Sequence, residues 1–332
     1  MTLALLAAAA AIISAALIVG LRPFLLRYAL ASPNARSSHR QPTPQGGGIA
    51  VIAATTIAIA TAAVFTPASL GDPFRLAVVL ASAIALALVG VTDDIRPLEA
   101  LPRLLLQAIA VLVVLAMLPP GLQIFSFLPW WLERALMFLA MLWLVNLVNF
   151  MDGIDWIMVV EVVPVTATLA LFGLMGALPQ NATLVSLALC GAMIGFAPFN
   201  RPVAQLFLGD VGSLPIGLLL GWLLVLLADG HVVAALLLPL YFVADTTITL
   251  LRRFVNGEQV TQAHRSHFYQ RALDGGLGVY AIVSRVFLVN IALCALAATT
   301  LLTPSRLLHI AALAAGCVLV GLLLVRFARV TR

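Results

Sequence analysis

The sequence contains no lysine. Charge of either sign is also scarce: Asp, Glu, Lys and Arg make up 9% of 332 residues, against about a quarter in a soluble globular domain. That scarcity excludes a soluble enzyme, and no polar stretch is long enough for a separate soluble domain. Cysteine is rare as well. Cys190, Cys294 and Cys317 each lie inside an apolar run, so they read as small hydrophobes, and neither a disulfide frame nor a thiolate metal site is expected. The net charge of +5 is carried by arginine alone, which fits the codon bias of a GC-rich genome. Any grip on phosphate therefore falls to guanidinium groups, whose planar fork suits phosphate oxygens. In so apolar a chain the basic balance reports membrane topology first, and no nucleic-acid partner is expected.

Apolar residues are what the sequence has in abundance. They make up 63% of the chain, and the mean hydropathy is +1.13. A membrane span needs about 20 apolar residues, and on that measure about eleven candidates stand out. They are 2–21, 46–66, 74–92, 101–118, 134–150, 156–178, 182–199, 211–228, 231–251, 278–302 and 306–327. The first, MTLALLAAAAAIISAALIVGLR, lacks a basic leader and reads as a membrane helix rather than a cleaved signal peptide. The fold class expected is an all-α polytopic membrane protein.

Arginines sort by side. With the N-terminus outside, one side receives Arg22, Arg27, Arg36, Arg40, Arg96, Arg103, Arg201, Arg252, Arg253, Arg265, Arg271, Arg326, Arg329 and Arg332. The other side receives Arg75, Arg134 and Arg306. The positive-inside rule places the C-terminus and the long loops in the cytoplasm. Asp93, Asp94, Asp152, Asp155, Asp210, His264 and His267 then fall on that same face. Transporters more often hold coupling acids near the midplane, on broken helices.

Four stretches carry this chemistry. GVTDDIRP (90–97) sets two acids side by side at a helix end, where they repel each other and oppose the helix dipole unless a cation intervenes. NLVNFMDGIDW (146–156) spaces Asp152 and Asp155 three apart, on one face of a helical turn. Asn146 and Asn149 extend that polar face into the span. PFNRPVAQLFLGDVGSLPIG (198–217) puts Asp210 among small residues with room for a metal and phosphate oxygens, and Phe207 three residues earlier could be a platform for a base. RRFVNGEQVTQAHRSHFYQRAL (252–273) is a basic loop. Its HxxH lacks a third soft ligand, so a phosphate site is expected rather than zinc. Mg²⁺ takes one or two carboxylates plus substrate phosphates, so the set implies phosphoryl transfer between a soluble diphosphate and a lipid phosphate.

PTPQGGG (42–48), GVTDDIRP, NFMDGID, FLGDVGS and HRSHFYQR stand in that order, and the set resembles the polyprenyl-phosphate N-acetylhexosamine-1-phosphate transferases (glycosyltransferase family 4, MraY- and WecA-like). The resemblance covers nearly the whole chain; each motif is weak alone, but five in order are specific. The PNARSSHRQPTPQGGG and HRSHFYQR versions look closest to bacterial members that start O-antigen or related surface polysaccharides. The resemblance implies that undecaprenyl phosphate attacks the β-phosphorus of a UDP-N-acetylhexosamine, giving undecaprenyl-diphosphate-sugar and UMP.

By motif, Asp210 is implied as an Mg²⁺ ligand (Mn²⁺ as a substitute) with Asp155 as the second. Asp93 matches the acid proposed as base, and Asp94 is implied to support the metal or a basic neighbour. Asn149, Asp152 and Phe207 match positions near the uridine. His264, Arg265 and His267 match the loop that holds the phosphates. Lysines frequent in the family near PTxGG and after the DD pair are missing, and Arg36, Arg40, Arg96 and Arg103 are the basic candidates in their place, with Arg103 the best placed after the DD pair. HRSH departs from the HHH-like triplet of other branches, which argues against a muramoyl-pentapeptide substrate. Asn146 and Asp245 are expected to support the site, Asp245 with an arginine such as Arg285 as an alternative partner, and Glu161 is given the same rank.

The expected organisation is one catalytic domain, 1–332, with its site built from cytoplasmic loops 22–45, 92–103, 150–156, 200–211 and 252–277. The expected location is the bacterial inner membrane, where a homodimer is the assembly suggested by relatives. The alternatives are a transporter or flippase of a lipid-linked or nucleotide sugar, and a non-catalytic scaffold.

Overall fold

The structure is a computed structural model that describes residues 3–31, 42–65, 71–259 and 264–330. Among these residues the helices are α1 (Leu3–Tyr28), α2 (Gly47–Phe65), α3 (Pro73–Ile95), α4 (Ala100–Ala116), α5 (Trp130–Met151), α6 (Ile157–Leu174), α7 (Gln180–Phe196), α8 (Asp210–Leu237), α9 (Leu240–Val255), α10 (Phe268–Asp274), α11 (Val279–Leu302) and α12 (Arg306–Arg329). Among the described residues, strands are limited to a two-residue pair, β1 (Leu30–Ala31) and β2 (Thr43–Pro44), which run antiparallel. Of the helices described, eight are long and apolar enough to cross a membrane, and α4 and α7 are shorter apolar helices. The protein is an all-α polytopic membrane protein.

Helix α8 is the axis. Its apolar window is buried throughout, because α3 and α5 flank it closely and α2 and α11 complete the ring. A helix apolar on every side is buried by neighbours rather than turned to one interface. A second layer forms where α7 packs on α1, α2 and α6.

The ninth expected span, 231–251, is not one helix. Non-helical backbone at Asp229, Gly230 and His231 turns the chain within α8, and the short helical stretch that follows stops before Pro239, from which α9 starts. Hydropathy over a long window averages across such a break, since proline and its neighbours weigh little against the leucines around them.

Close approach of backbones fixes where α8 begins. A Cβ on Gly48 would sit 2.2 Å from the Gly212 Cα, and one on Gly90 would sit 2.4 Å from the Asp210 carbonyl carbon. Small residues at such crossings let helix backbones touch. The glycines of PQGGG, GVTDD and GDVGS are therefore the contact points of α2 and α3 with α8. Gly48→Ala is expected to cost about 1–3 kcal/mol by overpacking, read as a lowered thermal midpoint in detergent. Gly121→Ala, which meets nothing within 4 Å, serves as the neutral control, and equal midpoints for the two would refute the crossing as a stability determinant.

Candidate active site

The acids of the DD pair do different things. Asp94 accepts the N–H groups of Asp210 (3.1 Å, Oδ1) and Val211 (3.2 Å, Oδ2), so it caps the N-terminus of α8 from the last turn of α3. A carboxylate there satisfies orphan donors and meets the positive end of the α8 dipole. That contact offsets its unfavourable place at the C-terminal end of α3. Asp93 turns the other way. Its Oδ1 takes the Leu98 N–H (2.6 Å) and its Oδ2 the Arg103 guanidinium (2.7 Å). The same Arg103 nitrogen lies 3.8 Å from Asp210 Oδ2. Gln45 ties PTPQGGG to this corner by donating Nε2–H to the Asp94 carbonyl at 2.8 Å.

Asn149 closes the other flank. Its Nδ2 donates to Asp210 Oδ1 (2.7 Å) and to Ser213 Oγ (2.9 Å). Asn146 does not extend this face into the site as the sequence reading had it. Its amide donates to the buried Gln107 Oε1 (2.8 Å) and to the Leu142 carbonyl, so it braces α5 against α4.

The turn between α5 and α6 is not helical, a second correction, and Asp152 and Asp155 leave it in separate environments. Asp155 is 4% exposed and accepts the Ala204 N–H at 3.0 Å. Asp152 is partly buried beside Asp94 and Asp155. Desolvation first, then those two charges, push its carboxyl up to about 7, against the pull of the Gly209 N–H. A cation or hydroxyl donor arriving there would favour the ionised form.

Asn200, which the sequence did not single out, holds this turn to the loop before α8. Its Oδ1 accepts the Trp156 N–H (2.8 Å) and its Nδ2 donates to the Leu206 carbonyl (3.0 Å). Trp156 is left-handed (φ 64°) and donates Nε1–H to the Ala197 carbonyl at 2.7 Å. An asparagine in an irregular loop carries no periodic signal. Ser213 was more legible, three residues after Asp210 on the same helical face.

Phe207 pairs its backbone with Pro44, donating N–H to that carbonyl at 2.9 Å, and its carbonyl accepts from Gly47 at 2.9 Å. Its ring is half-buried at the edge of the site. The HRSH segment lies against the DGID turn: the Tyr269 hydroxyl donates to the Phe150 carbonyl at 3.4 Å, and a Cβ on Gly153 would strike that hydroxyl. Arg265 pairs with Asp274 at 2.9 Å. Asp245 faces His267 rather than Arg285, whose guanidinium donates to the Ala281 carbonyl of its own helix. Arg36 and Arg40 lie outside the described residues.

Asp93, Asp94, Asn149 and Arg103 thus gather around Asp210, with Asp152 beside Asp94. Among the described residues, no group of three His, Cys, Asp or Glu side chains is disposed to hold a metal ion by itself. Asp93 and Asp210 lie within hydrogen-bonding reach of each other, a contact that two ionised carboxylates make only with a proton or cation between them.

Fold and site define a polytopic membrane enzyme with a carboxylate-rich centre at one end of its helix bundle. The family model for glycosyl transferase family 4 matches residues 76–228, from α3 through the buried length of α8. The probable undecaprenyl-phosphate N-acetylglucosaminyl 1-phosphate transferase of Bacillus subtilis (strain 168) is 25% identical over 272 residues, covering 79% of this chain and 74% of that relative. The decaprenyl-phosphate N-acetylglucosaminephosphotransferase of Mycolicibacterium smegmatis is 27% identical over 311 residues, covering 82% of this chain and 76% of its own. A phospho-N-acetylmuramoyl-pentapeptide-transferase of Enterococcus faecalis is 36% identical over 72 residues, 22% of each chain. These similarities support a place in the polyprenyl-phosphate hexosamine-1-phosphate transferase superfamily, a class of membrane-bound phospho-sugar transferases.

The cap on α8 gives a direct test. Asp94→Ala removes both acceptors and is expected to cost about 1–2 kcal/mol as a lost N-cap, measured by thermal unfolding in detergent. Asp152→Ala, which removes a poorly solvated acid, is expected to leave the midpoint unchanged or raise it. A reversed order would show that Asp94 does not carry the helix start.

Proposed function

We propose that the protein transfers an N-acetylhexosamine-1-phosphate from a UDP-sugar to undecaprenyl phosphate. The products are undecaprenyl-diphosphate-sugar and UMP, and the step initiates a surface polysaccharide such as O-antigen or a cell-wall glycan. The observation that carries this is the convergence of Asp93, Asp94, Asp152 and Asp210 with Asn149 and Arg103 at one end of the bundle. The arginine asymmetry supports a cytoplasmic position for that end and an inner-membrane location for the protein. The names of the long-matching relatives specify N-acetylglucosamine, which makes UDP-N-acetylglucosamine the first substrate to try.

The reaction forms a bond from a lipid phosphate oxygen to the β-phosphorus and breaks the bond between that phosphorus and the bridging oxygen, which leaves with UMP. A lipid phosphate whose second pKa is about 6 is largely ionised near neutrality and needs little help from a base. Both Asp93 oxygens are engaged. We therefore assign Asp93 to holding Arg103 toward Asp210 and the reacting phosphates rather than to accepting a proton. Asn149 orients Asp210, Asp152 faces the nucleotide, and Phe207 is the flat surface for its base. Asp210 would hold Mg²⁺, with Asp155 as the second ligand expected from the motif. When bound, the ion neutralises charge on the diphosphate and eases departure of UMP.

Purified protein is expected to release UMP from UDP-N-acetylglucosamine only with both undecaprenyl phosphate and a divalent cation present. Asp210→Asn is expected to lower the rate by about a hundredfold and to weaken Mn²⁺ binding, followed by electron paramagnetic resonance, by about tenfold or more. Retention of UMP release within tenfold would overturn the metal assignment, and UDP-sugar movement across a vesicle without UMP would favour a transporter. Asp155→Asn separates the ligand choices: Mn²⁺ binding weakened as in Asp210→Asn supports Asp155, and unaltered binding transfers the role to Asp93 or Asp94.

A further inference from the structure

Asp245 is fully buried in α9 (0% exposed), outside the cluster of acids at the start of α8. An ionised carboxylate in such a place is tolerated only when its lone pairs are filled. Five donors fill them. Oδ1 faces His267 Nδ1 (3.2 Å), the Phe268 N–H (3.0 Å) and the Thr249 hydroxyl (3.4 Å). Oδ2 takes the Tyr269 N–H (3.3 Å) and the Tyr241 hydroxyl (3.3 Å). Three of the five belong to HRSHFY, so one carboxylate from α9 determines where that segment sits.

The two histidines of the segment then differ in surroundings. His267 is 2% exposed. Its ring lies between those of His264 (5.0 Å between centroids) and Tyr269 (5.8 Å). A carboxylate can only accept, so the contact with Asp245 favours the tautomer that carries its proton on Nδ1 of His267. His264 is half-buried and rests its Nδ1 against Ser266 Oγ at 2.8 Å, which leaves Nε2 for a ligand. On the other side Arg252 donates to the Ser266 carbonyl (2.9 Å) and stacks over Phe268. The loop is thus tied down behind His264 at every residue from Ser266 to Tyr269.

We propose that Asp245 is a positioning residue: through His267 it fixes the loop, and His264 rather than His267 meets the diphosphate of the nucleotide sugar. The inference rests on the transferase reading above. It divides a motif that looks symmetrical into a buried post and an exposed contact. It also accounts for the aspartate itself: in either orientation an asparagine would turn its amide N–H toward a backbone N–H, of Phe268 or Tyr269, that can only donate.

The test is steady-state UMP release from UDP-N-acetylglucosamine by the full-length protein, with thermal midpoints taken alongside. Asparagine at position 267 keeps a donor near the place of Nδ1 but has nothing at Nε2. His267→Asn is therefore expected to retain kcat/KM within about threefold, and His267→Ala to lose about tenfold. His264→Ala is expected to lose about tenfold or more in kcat/KM for the UDP-sugar, with KM for undecaprenyl phosphate unchanged. Asp245→Asn combined with His264→Ala is expected to be no worse than His264→Ala alone, because both act on one contact. Multiplying losses in the double variant, full activity of His264→Ala, or His267→Asn as damaged as His267→Ala would each overturn the assignment. Should Asp245→Asn fail to fold, the comparison of the two His267 variants decides alone. An inactive wild-type protein would instead overturn the transferase reading and this inference with it.

Discussion

The hydrogen bonds from the start of α8 to the Asp94 carboxylate are the contact on which the site depends. A helix that begins inside a bundle exposes several N–H groups with no partner in its own chain. Here α3 supplies the acceptor from its last turn, and the glycines at 48 and 90 let the three backbones close on one another. The same contact decides where Asp210 stands, because Asp210 is the first residue of the capped helix. Asn149 and Arg103 can then reach it from α5 and α4. Without the cap, Asp94 would be a repelled acid beside Asp93, and Asp210 would have no fixed origin.

The membrane interior poses the same problem at other depths, and neighbouring helices solve it. Pro164 in α6 has no N–H to offer the Val160 carbonyl. Asn290 of α11 supplies the missing donor at 2.9 Å, with the same nitrogen 2.7 Å from Glu161. The thiols of Cys190 and Cys294 point to the Val163 and Pro164 carbonyls. Cys190 and Cys294 are buried small side chains, as the apolar runs around them suggest, and their sulfurs face the carbonyls on either side of the proline; Cys317, in the third such run, is instead exposed. Helix α6 starts at the DGID turn, so a well-satisfied α6 also steadies the floor beneath Asp155. Unsatisfied backbone would be costly in hydrocarbon, and that cost favours rigid scaffolding next to a site that must hold charge.

The sequence made the helical class and the convergence of the motifs legible because both rest on strong signals: long apolar runs and acids where acids are expensive. It was less informative about partners. Nothing in the spacing of Asp93 and Asp94 says that one turns toward Arg103 and the other toward a helix start. Asp152 and Asp155 are three residues apart, a spacing that means a shared face only in a helix, and Gly153 and the left-handed Trp156 make the segment a turn instead. Asn146 looked like a continuation of Asn149, but Gln107 on α4 claims it. Asn200 and Gln45 act through single long-range hydrogen bonds, which no local pattern encodes. The break at Pro239 was lost in a window dominated by leucine. In each case the deciding contact crosses the bundle.

Two acids in NFMDGID would be redundant if they shared a task, and the structure separates them. Asp155 is committed to the loop before α8 through the Ala204 N–H, and Asn200 fastens the other side of the same turn. Asp152 has charge neighbours and a carboxyl raised to about 7 by desolvation and by Asp94 and Asp155. A group held near neutrality in this way is stabilised by whatever donor or cation arrives, whereas one already bound to backbone has less to gain. The difference separates a carboxyl raised by its neighbours, Asp152, from one, Asp155, whose Oδ2 accepts a backbone N–H of the loop before α8. Asp94 and Asp210 divide in the same manner, one spent on the helix start and the other left facing Arg103 and Asn149. Within the centre some carboxylates are thus held by backbone N–H groups, while others face side chains and one another's charge.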